Sequence, residues 1–224
     1  LALERRGFSS VISAVNPDMR DMWAYLAELS HKTGRREFVN FEFIQNIDGN
    51  VADKFVLFAH NGAVFESALD AVFGRIYQAI LDENFNSYEF EFAAYYIQGL
   101  VWRLSQAPKI IPRCGVTETV CDIDIAGFRY KCHSSQATAS NIKETGVIPE
   151  PKSSLYIDTW CKGCELLPLC GGGCILNSAE TKKYDCYINQ QVWGRFLKLF
   201  HTISTNVELM SKIMNSKGVP DVAY

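Results

Sequence analysis

The chain has 224 residues, is 48% hydrophobic and carries a formal net charge of -3. That length buries a proper core as one large domain or two small ones, and the charge leaves no electrostatic footprint for nucleic acid or an anionic membrane. No apolar run approaches the length of a transmembrane helix.

Eight cysteines without a secretory signal point to reduced thiols in a cytoplasm, used for metal rather than disulfides. Arg5-Arg6-Gly7-Phe8 has the outline of a twin-arginine export signal, but Asn16-Pro17-Asp18 breaks the apolar run behind it, so export is rejected. A chain that begins at Leu1 rather than Met hints at sequence missing upstream.

Phe8 to Val15 is a short, apolar, β-rich run and reads as a buried strand. Asn16-Pro17 then offers an N-cap and a first-turn proline. Met19, Met22, Trp23, Leu26 and Leu29 follow at helical spacing, predicting an amphipathic helix over 17–31 that Thr33-Gly34-Arg35 closes. Phe38 to Ile47 is a second strand. Strand, helix and strand at this length form a βαβ unit, hence a parallel sheet or part of a barrel. On the second strand Asn40, Glu42, Ile44 and Asn46 share one face, and Phe41, Phe43 and Gln45 the other. The polar face either lines a barrel lumen that holds a ligand or is the wet side of a half-exposed strand. Neither reading makes a site residue of Asn40, Glu42 or Asn46.

Residues 62–106 turn helical in two segments separated by Asn84-Phe85-Asn86-Ser87. Val72, Phe73, Ile76, Tyr77 and Ile80 make one apolar stripe, and Phe92, Tyr95, Tyr96, Leu100, Trp102 and Leu104 supply the next. Aromatic stripes at this spacing are core. Pro108 and Pro112 punctuate the connection into a cysteine-rich half, the candidate domain boundary. After Cys186, residues 187–215 read as one long amphipathic helix through Val192, Trp193, Phe196, Leu197, Phe200 and Ile203, with a frayed tail from Gly218.

The chemistry lies in the cysteine-rich half. Cys161-Lys162-Gly163-Cys164 lets two thiolates converge on one metal centre, because a tight turn points both side chains the same way. Cys170 and Cys174 follow, and then Cys186. Gly171-Gly172-Gly173 permits backbone geometry closed to other residues, and its amides suit the sulfur of an iron–sulfur centre. Disulfides or a single zinc remain the alternatives. Cys114, Cys132 and Cys174 would need a second zinc site, and the spacing of Cys164, Cys170 and Cys174 is unusual for zinc ribbons.

Upstream stand Cys114, then Gly127, then Cys132. The full string, Cys-x12-Gly-x4-Cys, a gap, Cys-x2-Cys-x5-Cys-x3-Cys, a gap and Cys186, resembles the SPASM domain of radical SAM enzymes over residues 114–186. Leu167-Pro168 before Cys170 agrees with it, and residues 8–47 resemble the last βαβ of the partial barrel that precedes such a domain. The resemblance implies an α/β protein: the remnant of a partial (β/α) barrel followed by a small α+β SPASM domain built around two iron–sulfur clusters. Residues 1–60 would be the barrel portion, 61–112 a helical bridge and 113–224 the SPASM domain with its C-terminal helix. Two auxiliary [4Fe–4S] clusters follow by motif position. Cys161, Cys164, Cys170 and Cys186 would hold the second, and Cys114, Cys132 and Cys174 the first. Family members use such clusters near a peptide or protein substrate, for electron transfer or direct substrate contact.

One departure is large. The family's CxxxCxxC loop, which holds the cluster that reduces S-adenosylmethionine, is missing; Asn177 stands where Cys170-x3-Cys174 would need a third thiol. The chain therefore resembles the C-terminal half of a radical SAM maturase, with no catalytic residue of its own. The radical SAM core, reached in cis or in trans, and an electron donor become its expected partners, and S-adenosylmethionine its cofactor only through that core. His133 beside Cys132 makes a sulfatase-maturase activity doubtful, because those enzymes resemble this region with an aspartate there. His31, His60 and His201 have bland readings. The competing functions are a non-catalytic zinc-binding interaction domain and a standalone iron–sulfur electron carrier.

Cys121 is outside that motif. It precedes Gly127 in a β-hairpin whose register decides what faces Cys132. A two-residue turn at Ala126-Gly127 pairs Ile123 with Tyr130 and Cys121 with Cys132. It also sets Asp124 opposite Arg129 and Asp122 opposite Lys131. A three-residue loop, Ile125-Ala126-Gly127, turns Cys121 away from Cys132. Turn chemistry favours the longer loop; the charge pairs and one unbroken apolar face favour the shorter. The shorter is preferred, which makes Cys121 the fourth ligand of the first cluster.

Overall fold

A computed structural model of the protein describes residues 6–34, 37–44, 53–105, 122–123, 129–130, 159–172 and 179–216. Strand β1 (Arg6–Ile12), helix α1 (Arg20–Thr33) and strand β2 (Glu37–Phe43) come first. The two strands pair in parallel, with Phe8 opposite Val39 and Ile12 opposite Phe43, so the expected βαβ unit is present. The side chains of Asn40, Glu42 and Asn46 lie outside the described residues.

Helix α1 starts later than Asn16-Pro17 suggested. Asn16 is held in a small bridge with Ser13, and it is the Asp18 carboxylate that accepts the Arg20 amide, at 3.0 Å, while also pairing with the Arg20 guanidinium. Gly34 ends the helix at a φ of 61°, a left-handed cap that glycine adopts without strain.

Helices α2 (Ala63–Leu81) and α3 (Tyr88–Ser105) match the two segments read from the sequence, broken where Asn84 to Ser87 predicts. Their inner faces meet α1 around Trp23, which is wholly buried. Tyr88 and Phe92 pack edge-on to its ring, with centroids at 5.0 and 4.6 Å. Glu89 is buried too, an unusual place for a carboxylate, and the Arg75 guanidinium donates to it at 2.6 Å. Not every residue of the expected stripes is core: Tyr77, Trp102 and Leu104 are exposed.

Short helix α4 (Leu167–Cys170) packs against α3 and against α5 (Ala179–Ser204). Phe196 of α5 stacks on Tyr96 at 4.8 Å and meets Phe73 edge-on at 4.7 Å. The core is continuous: Ile12, Trp23, Ile76, Ile97, Leu169, Phe196 and Ile213 belong to one cluster that spans the βαβ unit, the α2–α3 pair and the C-terminal helices.

The single long helix expected over 187–215 is in fact two, α5 and α6 (Val207–Asn215). Asn206 breaks it, because its side chain accepts the Leu209 amide at 3.0 Å and caps a new helix. The turn folds α6 back on α3, where Ile213 is fully buried and Gln98 donates to the Ile213 carbonyl at 2.8 Å. Asn206→Ala should cost about 1 kcal/mol, the ordinary worth of an N-cap. Chemical denaturation followed by circular dichroism measures it; an unchanged midpoint would mean that packing alone sets the break.

No helix among the described residues is long and apolar enough to cross a membrane.

Candidate metal centre

The second block of cysteines is built on a hydrogen-bonded ladder of tight turns. A 3-10 turn spans Thr159–Gly163, and the Cys164 amide donates to the Cys161 carbonyl at 3.0 Å, closing the CxxC. The Leu167 amide then donates to Cys164 at 3.1 Å, and the Cys170 amide to Leu166 at 2.9 Å. Leu167 and Leu169 are buried and anchor α4, so Cys164 before them and Cys170 after them are carried on a fixed support. Gly171 and Gly172 follow at φ of 61° and 86°, conformations that strain any residue with a Cβ. They turn the chain so that the Gly172 amide donates to Cys170 Sγ at 3.4 Å. An N–H aimed at sulfur stabilises a thiolate, as metal ligation requires.

Cys186 comes from a different element, helix α5. Cys161, Cys164, Cys170 and Cys186 are thiols, not disulfides; Cys161 is buried and the other three are half-buried. Burial first, then the Cys161 and Cys170 thiols, then Asp185 and Cys164, push the Cys186 thiol up to about 11. Among the described residues no three Cys, His, Asp or Glu side chains converge closely enough to hold a single metal ion as they stand. The donor set itself, four thiols and an N–H on one sulfur, suits thiolate ligation of an iron–sulfur cluster.

Cys186 is placed by its neighbours. Tyr187, buried beside it, donates its hydroxyl to Glu66 Oε1 at 2.6 Å. Burial and that carboxylate hold the hydroxyl protonated, far above its ordinary range. The ring rests on Gly62, where a Cβ would lie 1.7 Å from the hydroxyl oxygen. Phe58 meets Tyr184 and Tyr187 edge-on at 5.4 and 5.9 Å. Arg195, two turns further along α5, donates to Asp70 at 2.8 Å and latches the helix to α2. Sequence reasoning missed this set. The signal available was Tyr184 and Tyr187 flanking Cys186 at one-turn spacing.

Cys114, Cys121, Cys132, Cys174 and His133 lie outside the described residues. The hairpin between them is a correction to the expected register: Asp122 pairs with Tyr130 and Ile123 with Arg129, the pairing of the three-residue loop. The physical reason is turn chemistry. A two-residue turn would put alanine at positive φ, at about 1 kcal/mol, where the longer loop puts glycine without strain. The register argument that set Cys121 opposite Cys132 therefore lapses.

A cleft of about 710 Å³ lies elsewhere, lined by Ser30, His31, Asn84, Ser87, Glu89 and Glu91 among others, with no cysteine in its described lining. His60 rests 5.8 Å from the Phe58 ring, and His201 is exposed on α5. The chain matches no protein-family profile, no curated protein and no solved structure.

Proposed function

We propose that this chain is the auxiliary [4Fe–4S] cluster and substrate-positioning module of a radical SAM enzyme that modifies a peptide or protein. The observation that carries the reading is the turn-built loop that presents Cys161, Cys164 and Cys170, with the Gly172 amide donating to Cys170 Sγ at 3.4 Å and Cys186 supplied by helix α5. These four thiols hold the second cluster. Cys114, Cys132 and Cys174 hold the first, with its remaining iron left for substrate. When bound, the clusters supply electron transfer or an iron site open to the substrate.

The chemistry of the thiols accommodates a cluster as well as zinc. A tetrahedral zinc with bonds of about 2.3 Å needs its sulfurs about 3.8 Å apart, whereas a cubane spreads its thiolates wider. The amide on Cys170 Sγ and the glycines beside it suit the sulfur of the wider arrangement. The rest of the chain's work is to hold those sulfurs still: Leu167 and Leu169 anchor the loop, and Tyr187 anchors the helix.

The partners that complete the reading are a radical SAM core in cis or in trans, an electron donor and the peptide, all in a cytoplasm. Anaerobic reconstitution should give a brown protein with iron and acid-labile sulfide for two [4Fe–4S] clusters, and no release of 5′-deoxyadenosine from S-adenosylmethionine by this chain alone. Colourless protein with stoichiometric zinc and no sulfide would end the proposal in favour of an interaction domain. Cleavage of S-adenosylmethionine by the pure chain would end the need for a separate core.

A further inference from the structure

The clamp around Cys186 does more than bury an aromatic ring. The segment from Val56 to Gly62 grips the first turns of α5 on both sides of the cysteine, through Phe58 on Tyr184 and Tyr187. That segment is itself rigid: the Phe58 amide donates to Asn61 Oδ1 at 2.8 Å, and Asn61 Nδ2 donates to the Val56 carbonyl at 3.0 Å. It is also tied to the βαβ unit, because the Ala14 amide donates to the Phe55 carbonyl at 3.0 Å. A continuous path of hydrogen bonds and ring contacts therefore runs from the end of β1 to the residue after Cys186.

We propose that Tyr187 is a positioning residue, whose hydrogen bond to Glu66 sets where the Cys186 thiol stands relative to Cys161, Cys164 and Cys170. The proposal rests on the reading of these four as one ligand set. Geometry makes the contact specific. With Gly62 beneath it, the ring has no room to sink, and the carboxylate of Glu66 fixes its height. A ring without its hydroxyl keeps its apolar packing but loses that stop, and the helix turn that bears Cys186 gains freedom to rotate. The βαβ unit then governs the cluster site through the loop 56–62 rather than by direct contact.

The test uses the metal-free protein, so that it does not depend on cluster assembly. A bifunctional thiol reagent is applied to the parent, Tyr187→Phe, Glu66→Ala and Glu66→Gln. Mass spectrometry of the digests reads the yield of bridges from Cys186 to Cys161, Cys164 or Cys170. Tyr187→Phe and Glu66→Ala should lower that yield about fivefold, the population shift that one lost hydrogen bond of ordinary strength permits. Glu66→Gln, which keeps an acceptor oxygen, should restore most of it. Circular dichroism should leave all four indistinguishable, and where Tyr187→Phe fails to fold, Glu66→Ala carries the measurement. Parent-like bridging in both Tyr187→Phe and Glu66→Ala overturns the clamp, whatever the reconstituted protein contains. Reduced bridging in a protein that takes up no iron sustains the clamp and sinks the cluster reading instead. Where iron does bind, Tyr187→Phe should also alter the spectrum and potential of the second cluster, with the first unchanged.

Discussion

Cys170→Ala should remove about half of the iron and sulfide bound by the reconstituted chain, with the loss confined to one of two clusters. Cys170 closes the short helix α4 and receives the Gly172 amide, so its thiol is held by the loop backbone. Its removal leaves Cys161, Cys164 and Cys186 on a site built for four thiolates, without the corner that the Gly172 amide supports. The substitution should spare the fold, because Leu167 and Leu169, not Cys170, bury the helix. Cys186→Ala should give the same spectrum of loss from the other side, since that thiol reaches the site from α5. Iron and sulfide assays read the amount, and electron paramagnetic resonance of the reduced protein reads which cluster has gone. Equal depletion of both signals would mean that the ligands are partitioned otherwise, or that the domain folds only with both clusters in place.

How much of this was legible in the sequence depends on the range of the interaction that decides each feature. Helices α2 and α3 were readable because a repeat of Val72, Ile76 and Ile80 is local, and Asn84 to Ser87 interrupts it with turn-forming residues. The break at Asn206 was hidden by the same logic run too far. Leu209, Met210 and Ile213 continue the apolar period, so one helix looks possible; only the contact of α6 with α3 makes the turn worthwhile. The sequence places the start of α1 too early because Asn16-Pro17 has the outline of a cap, whereas Asn16 bridges Ser13 and Asp18 binds the Arg20 amide and guanidinium. Glu89 reads from sequence as a surface acid in the first turn of a helix. Its burial depends on Arg75 in α2, which no local pattern announces. The metal centre divides the same way: the thiols announce themselves by spacing, whereas Glu66 and Gly62 enter only when the helices pack.

Trp23→Ala should be the most damaging single change outside the cysteines, lowering stability by about 3–5 kcal/mol as large aromatic-to-alanine core changes do. The indole is wholly buried where α1 meets α3, and two aromatic rings stand edge-on to it. Each such pair adds about 0.5–1.5 kcal/mol beyond area burial, so the loss falls at the upper end of that range. The indole N–H also lies 3.5 Å from Glu89 Oε1, a long contact that adds little compared with the 2.6 Å bond from Arg75. Trp23→Phe separates the two contributions, since it keeps a ring in the cavity and drops the donor. Its cost should be well under half that of alanine if packing dominates. The damage should also travel. Phe92 contacts both Trp23 and, through stacked rings, Phe196 of α5, so loosening α1 loosens the helix that bears Cys186. Denaturation midpoints in the metal-free protein measure the stability loss, and iron retention after reconstitution measures its reach. A Trp23→Ala protein with near-parental stability would show that the aromatic cluster is not the keystone of this core. One that is destabilised yet keeps full iron would show that the metal centre stands on α3, α4 and α5 without help from α1.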